Sequence, residues 1–227
     1  MILTAQQPTY LSWLGLFDKI SRADMFCIFD DVPFERHGFG NRNQIKGPNG
    51  TQMLTVPVHL DKHLDIPIRR IMIANDQNWM RKHLRSIELA YQKAEFFHMY
   101  FPGLQQIYDE KWALLCGINH RLLKFFLAAL GIKVEIVIAS EQGFSGTKSE
   151  LVLDMCLKLG ATEYIFGSQG RDYADECAFL ESGVAVSFQD YKHPEYKQLH
   201  GKFISHLSVL DLLMNHGSSS LEILRNG

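Results

Sequence analysis

Apolar residues along the chain fall into short runs and helical stripes that alternate. Ile2 to Ala5 is an apolar run stopped by Pro8, and Trp13, Leu16, Phe17 and Ile20 then recur at helical spacing, which predicts strand, loop, helix. Met25 to Phe29 is a second buried run, ending in Asp30-Asp31, and the polar Gly/Asn/Pro-rich stretch from Glu35 to Gly50 predicts a long loop. Met53 to Val58 and Ile66 to Ile73 read as strands, but Pro57 and Pro67 cannot donate to a ladder. Both are therefore expected at an edge or in a hairpin, paired beside the main sheet.

From Asn75 to Leu130 the pattern is helical, with Asn75 or Asp76 expected as N-cap, a break at Pro102-Gly103 and a C-cap at Gly131. Strand and helix then alternate: Lys133 to Ala139 strand, Thr147 to Leu159 helix ending at Gly160, Tyr164 to Phe166 strand, Arg171 to Ser182 helix, Val184 to Phe188 strand. Parallel neighbours need crossovers, and crossovers are usually helical. The pattern thus predicts an α/β fold, a mostly parallel sheet flanked by helices, as a single three-layer Rossmann-like domain with a helical middle over residues 1–227. The first, second, Val134 to Ile138 and Val184 to Phe188 strands are expected in one sheet.

Composition narrows the class. With 227 residues, 46% hydrophobic and 21% charged, the chain is an ordinary globular protein and not a disordered, collagenous or disulfide scaffold. Lys plus Arg number 23 against 25 Asp plus Glu, a net charge of -2, so no basic surplus exists to neutralise a phosphate backbone and nucleic acid is not an expected partner. Cys27, Cys116, Cys156 and Cys177 form no C-x-x-C pair and are expected as buried thiols in a reducing compartment. No signal peptide is expected, since the start has no basic n-region or cleavage-site pattern, and the cytoplasm is the expected location. Leu122 to Leu130, the most apolar stretch, contains Lys124 and falls short of the ~20 residues of a spanning helix, so no membrane insertion is expected. The sequence carries no signal for an oligomeric state.

Several stretches could carry chemistry, and each also has a structural explanation. Gln6-Gln7-Pro8-Thr9-Tyr10 sits where the first strand gives way to a helix, the place where open α/β sheets bind ligands; a plain Pro8 turn with Tyr10 packed on the sheet is the alternative. No glycine-rich phosphate loop is present, which weighs against a standard dinucleotide site. Asp30 and Asp31, at a strand carboxyl end, suit a ribose hydroxyl, a metal or a substrate amine, or simply cap the turn. In the loop Glu35 to Lys46, Arg42 and Lys46 could act as counterions to an anionic ligand, against the reading of a solvated surface loop. His59 and His63 are spaced for one helix face, with Asp61 and Asp65 between and after them, but Pro57 and Pro67 argue against a helix, and no metal centre is expected. Near the C-terminus, Leu207, Leu210, Leu213 and Met214 make an apolar helix face. Ser208 is expected as its N-cap, Asp211 as the partner in a capping box and Gly217 as its end. His193, Tyr196, Gln198 and His200 precede it in a loop with no cap or helix face to explain them, so His193 is a candidate general base and Tyr196 a candidate donor; a hydrogen-bonded structural imidazole is the alternative.

Taken together, Gln7 to Gly15, Asp30-Asp31-Val32, Asn41 to Lys46 and Leu54 to Val58 resemble the WbqC-like family, and Gly160 to Tyr164, Tyr191 to Gln198 and Leu207 to Gly217 look like its later blocks. The resemblance spans nearly the whole chain. It departs from the family pattern at Ser12, where Pro is usual, at Pro33, where Gln is usual, and at Ser205-His206 before the last block. The family is bacterial and often encoded among genes for O-antigen and related surface polysaccharide biosynthesis. The resemblance implies a transferase moving an acyl or aminoacyl (glycine-type) unit to an amino sugar or sugar nucleotide. On that reading His193, Asp30 or Asp31 is catalytic, and Gln7, Tyr10, Trp13, Asn41, Arg42, Lys46, Tyr196 and Gln198 bind substrate. The expected partner is a small molecule, with an activated acyl or nucleotide donor in place of a resident cofactor. Two alternatives are a nucleotidyltransferase-like enzyme binding an adenylate at Ser145-Gly146-Thr147-Lys148-Ser149, and a non-catalytic binding protein of the same pathway. The Gln7 loop, the Asn41 to Lys46 loop and the Tyr191 to Gln198 loop are expected to converge on one pocket.

Overall fold

The computed structural model describes residues 1–60 and 66–226. In chain order the strands are β1 (Ile2–Gln6), β2 (Met25–Ile28), β3 (Arg42–Gly47), β4 (Gly50–Thr55), β5 (Glu135–Ile138), β6 (Glu163–Phe166) and β7 (Ala185–Phe188). The helices are α1 (Leu14–Ser21), α2 (Trp79–Tyr91), α3 (Phe97–Asp109), α4 (Leu115–Leu130), α5 (Lys148–Leu159), α6 (Glu176–Glu181), α7 (Val209–His216) and α8 (Ser220–Arg225). Five strands form one parallel sheet in the order β5-β2-β1-β6-β7, flanked by helices, which is the expected α/β class with the expected strands united.

Every residue of β2 is buried, and its side chains alternate between two cores. Phe26 and Ile28 join the larger one with α1, α4 and α7, while Met25 and Cys27 join a smaller one with α5 and α6. A strand covered on both faces must be apolar throughout, which is why Met-Phe-Cys-Ile stands out in the sequence. From β1 the chain steps outward through β2 to β5, then returns to β6 and β7 on the opposite side. The strand order reverses beside β1, and at such a reversal the carboxyl ends of the strands diverge and leave a crevice.

Four local expectations are corrected. The Glu35 to Gly50 stretch is not one loop, because Arg42–Gly47 is a strand paired antiparallel with Gly50–Thr55, in register Arg42 with Thr55 through Gly47 with Gly50. Its buried positions Asn43 and Lys46 are polar, so no apolar alternation marks it; their side chains are satisfied by hydrogen bonds instead. Met53–Thr55 does lie in a hairpin beside the main sheet, paired with β3, but Ile66 to Ile73 is not a strand: Ile68–Arg70 is a 3-10 turn, and the two segments meet at an isolated bridge between Val58 and Ile73, flanked by His59 N to Met72 O and Ala74 N to Pro57 O. Pro102 lies inside α3, whose buried face runs from Phe97 through Tyr108, and Gly103 is a contact point: a Cβ there would sit 2.6 Å from the Phe125 ring. The helical middle breaks after Tyr91 and after Asp109 instead, and Asn78 precedes α2 while Asn75 bonds Trp112 O and Trp79 Nε1.

The stretch from Arg171 begins with a 3-10 turn at Ser168–Asp172, and α6 starts only after Asp175, which accepts from Ala178 N. Cys27, Cys116 and Cys156 are buried as expected, but Cys177 is exposed. Asp61, His63 and Asp65 lie outside the described residues. Among the described residues no helix is long and apolar enough to cross a membrane, and no group of side chains is arranged to hold a metal ion.

Candidate functional site

A crevice of about 380 Å³ opens where the strand order reverses. Its floor comes from the carboxyl ends of the strands: Gln6 closes β1, Ser168 and Gln169 follow β6, and Gln189 follows β7. Trp13, Gly15 and Lys19 of the α1 segment form one wall, and Phe39, Asn43 and His206 close the mouth. Among the described residues no carboxylate and no arginine lines it.

The short helix α1 is buried from Leu14 to Ile20, including two charged residues whose fates differ. Asp18 is satisfied by Arg22, through Nε at 3.0 Å and Nη2 at 2.8 Å, and by Gln189 Nε2 at 2.7 Å. Lys19, 3% exposed, donates only to Ala5 O and Gln6 Oε1, both at 3.0 Å. Among the described residues no carboxylate lies within ion-pair distance of it, and its third N–H has no protein acceptor. Burial draws the ammonium down from its ordinary 10.5 to about 8. A buried cation with no counter-charge costs free energy, and a ligand anion in the crevice recovers it.

The aromatic wall is fixed by close packing. The Trp13 ring lies directly over Gly15, where a Cβ would come within 2.3 Å of the indole, so glycine is required there. Trp13 stacks on His206, with centroids 5.6 Å apart and planes 14° from parallel, and meets Tyr191 edge-on at 5.7 Å. Gln189 Nε2 donates to Gly15 O at 2.8 Å and ties α1 to the end of β7. The loop before Trp13 is clamped by the hairpin side: Tyr10 N donates to Phe39 O and Asn43 Nδ2 to Leu11 O, with Leu11 at φ 46°.

Of the substrate-binding candidates, Trp13 lines the crevice. Of the Asn41 to Lys46 segment only Asn43 lines the crevice, opposite Gln6 and Trp13 at the two ends of the first loop, and Asn41, Arg42 and Lys46 do not. Asn41 is buried and donates to Val56 O; Arg42 donates to Gly38 O and Arg36 O and organises its own loop. Lys46 is not a ligand counterion: its Nζ donates to Gln198 Oε1 at 2.7 Å and to Lys202 O. Gln198 also bonds Ile204 N and O, and Tyr196 OH donates to Asp211, so both serve a buried network. Gln7 lines a neighbouring cavity of about 10 Å³, with Asn119 and His120. Tyr10 is fully buried, its hydroxyl bonded to His83 Nδ1 and Tyr108 OH, and does not face the crevice.

The three catalytic candidates separate as well. Asp30 accepts from Ser140 N at 3.0 Å and Ser140 Oγ at 2.8 Å, and Asp31 pairs with Arg69 at 2.7 Å, so both carboxylates hold local structure. His193 stands one ring behind the crevice, 5.2 Å from His206. Its Nδ1 lies 3.0 Å from Pro194 O and must donate there, which leaves Nε2 as a lone pair, buried and without a partner. Burial holds this imidazole below its ordinary pKa. The expected capping box is also corrected: Ser208 caps α7 through Leu210 N, but the Asp211 carboxylate accepts from Tyr91 OH and Tyr196 OH. In the segment of the adenylate alternative, Ser145 N donates to Asp154 and Ser149 Oγ accepts from Asp175 N.

Lys19, Gln189 and Ser168 escape sequence reasoning, and Gln6 and His206 are passed over within stretches that drew attention. One signal was available for Lys19: a lysine one residue from Ile20 in a helix too short and too apolar to have a solvent face.

Comparison with known proteins agrees with this geometry in extent. The WbqC-like protein family matches residues 7–223. An uncharacterized protein of Mycobacterium tuberculosis is 35% identical over 221 residues, covering 96% of this chain and 95% of that relative. No solved structure matches the chain. The family match takes in the first loop, α1, the hairpin, the strand ends and the His206 segment, and on that extent the chain belongs to the WbqC-like protein family.

Proposed function

We propose that the chain is a transferase that moves an activated acyl or aminoacyl group, glycine being the type, onto an amino sugar carried as a sugar nucleotide for bacterial surface polysaccharide. The observation that carries this reading is Lys19, a buried ammonium facing the crevice with no carboxylate beside it. Such a group selects an anion, and the phosphate end of a sugar nucleotide supplies one. Trp13 offers a flat apolar face for a sugar or base, and Gln6, Gln189 and Ser168 offer amide and hydroxyl groups for sugar hydroxyls. In the transfer the acceptor nitrogen attacks the acyl carbon, the C–N bond forms, and the bond to the leaving group breaks with its electron pair. The proton released from nitrogen goes to a neutral imidazole, for which His193 Nε2 has the right tautomer. No protein nucleophile is needed when the donor arrives activated.

The test is calorimetric titration with inorganic phosphate, uridine diphosphate and a uridine diphosphate amino sugar. Wild type is expected to bind the amino sugar nucleotide most tightly, and Lys19→Met to lose about tenfold or more of that affinity. Equal binding by the two proteins overturns the reading.

A further inference from the structure

Three rings of the Tyr191 to Phe203 segment, together with His206 from the crevice mouth, enclose His193. Tyr191, Tyr196, Phe203 and His206 stand 6.2, 6.1, 5.7 and 5.2 Å from its centroid. Inside this box two buried polar atoms lack partners among the described residues, His193 Nε2 and Tyr191 OH. Nearly all buried polar atoms in folded proteins are hydrogen-bonded, so an acceptor left unbonded in a closed box marks a place built for a further contact.

Of the four rings only His206 is exposed, and it is also the ring that lines the crevice. Its backbone takes φ 59°, a left-handed conformation that side chains rarely adopt. The chain just beyond it is pinned: Ser208 N donates to Gln44 O and Val209 N to Ser12 O. Its side chain is held less firmly, by the stack on Trp13 and by a 2.8 Å contact between Nδ1 and Ser205 Oγ, on an exposed neighbour. The backbone is therefore fixed while the imidazole rests on two exchangeable contacts, the Trp13 face and the exposed Ser205 hydroxyl.

We propose that His206 is a removable cover over His193: a flat ligand ring that takes its place on Trp13 turns it outward, and His193 Nε2 then opens onto the crevice as the proton acceptor of the site. His206 thereby becomes a specificity residue, since only a ligand with a face able to stack on indole uncovers the base. The role assigned to His193 rests on the transferase reading; the covering itself does not, and it is tested without any substrate.

Diethyl pyrocarbonate acylates unprotonated, accessible imidazole nitrogen, and the sequence lends itself to reading each site. Cleavage after Lys192, Lys197 and Lys202 isolates His193 in one peptide and His200 in the next, and His206, which shares the 203–225 peptide with His216, is assigned by fragment-ion mass. His200, whose Nε2 is bonded to Ala90 O, is the internal reference. In wild type His193 is expected to react about tenfold or more slowly than His206, and in His206→Gly, which suits the left-handed backbone, to speed up by about the same factor while His200 does not change. His206→Asn, another residue tolerant of that conformation, keeps the test available should the glycine variant misfold, as judged by circular dichroism. Fast reaction of His193 in wild type, or a His193 rate that does not rise by this order in the folded variant, overturns the proposal. Either result leaves the Lys19 titration standing on its own.

Discussion

Lys19 Nζ donates to Gln6 Oε1 at 3.0 Å, and this contact joins the last turn of α1 to the last residue of β1 at the point where the sheet reverses its order. Because burial lowers the Lys19 pKa from 10.5 to about 8, the unfolded chain binds this proton more tightly than the folded one. The penalty is fully present below pH 8, and stability is regained as pH rises from there toward 10.5. Wild type is thus expected to gain about 2 kcal/mol of unfolding free energy relative to Lys19→Met between about pH 7 and 9.5. Urea titrations of both proteins across this range measure the difference, and parallel curves would place the Lys19 amine in solvent.

Gly15 and Trp13 make a second expectation. Alanine normally improves a helix by about 1 kcal/mol over glycine. Here its Cβ would come within 2.3 Å of the indole, and the rigid ring must move. Gly15→Ala is expected to lower the melting temperature, to shift the tryptophan emission and to weaken binding of the uridine diphosphate amino sugar. A more stable protein with intact binding would mean that the indole does not rest where its contacts place it.

The Asp211 network predicts the scale of a third effect. A capping carboxylate is worth about 1 kcal/mol, whereas removal of one partner from a buried charged network costs about 3–5 kcal/mol. Asp211 accepts from Tyr91 OH and Tyr196 OH, both at 3.0 Å, and is 1% exposed. Asp211→Ala is therefore expected to fall in the larger range by urea denaturation, and Tyr196→Phe in the range of a single hydrogen bond to a charged group, about 1.5–3 kcal/mol. A loss near 1 kcal/mol for Asp211→Ala would restore its reading as a cap.

The fold was legible where burial demands apolar residues and the site was not, for one physical reason. β2 is covered on both faces and α4 carries a long apolar stripe, so Met25 to Ile28 and Leu115 to Leu130 declare themselves. β3 is buried too, but on polar side chains such as Asn43 and Lys46, whose cost is met by partners far along the chain, Leu11 O and Gln198 Oε1. Sequence order holds no record of those partners, so the strand reads as a loop and its lysine as a free counterion. The same blindness runs the other way for Lys19, which looks like a surface lysine and is a buried one. Trp13, which its helical spacing alone assigns to an apolar stripe, was named as a binding residue through the family resemblance over Gln7 to Gly15, and it lines the crevice.

Asp30 and Asp31 give the last expectation, since they carried the catalytic alternative. Asp30→Ala removes two hydrogen bonds to Ser140 just past β5, and because Ser140 is exposed its freed N–H and hydroxyl turn to water, so the loss is expected at about 1 kcal/mol per bond. Asp31→Ala breaks a pair whose side chains are 33% and 48% exposed, worth about 1 kcal/mol or less. Neither carboxylate lines the crevice, so neither change is expected to alter affinity for the amino sugar nucleotide. His193→Ala differs in kind: it removes the imidazole with the free Nε2, and turnover is expected to vanish with binding retained. Measuring binding, melting temperature and acyl transfer on all three variants separates the roles. Transfer lost in Asp30→Ala at unchanged stability and affinity, with His193→Ala still active, would move the base from the imidazole to the carboxylate.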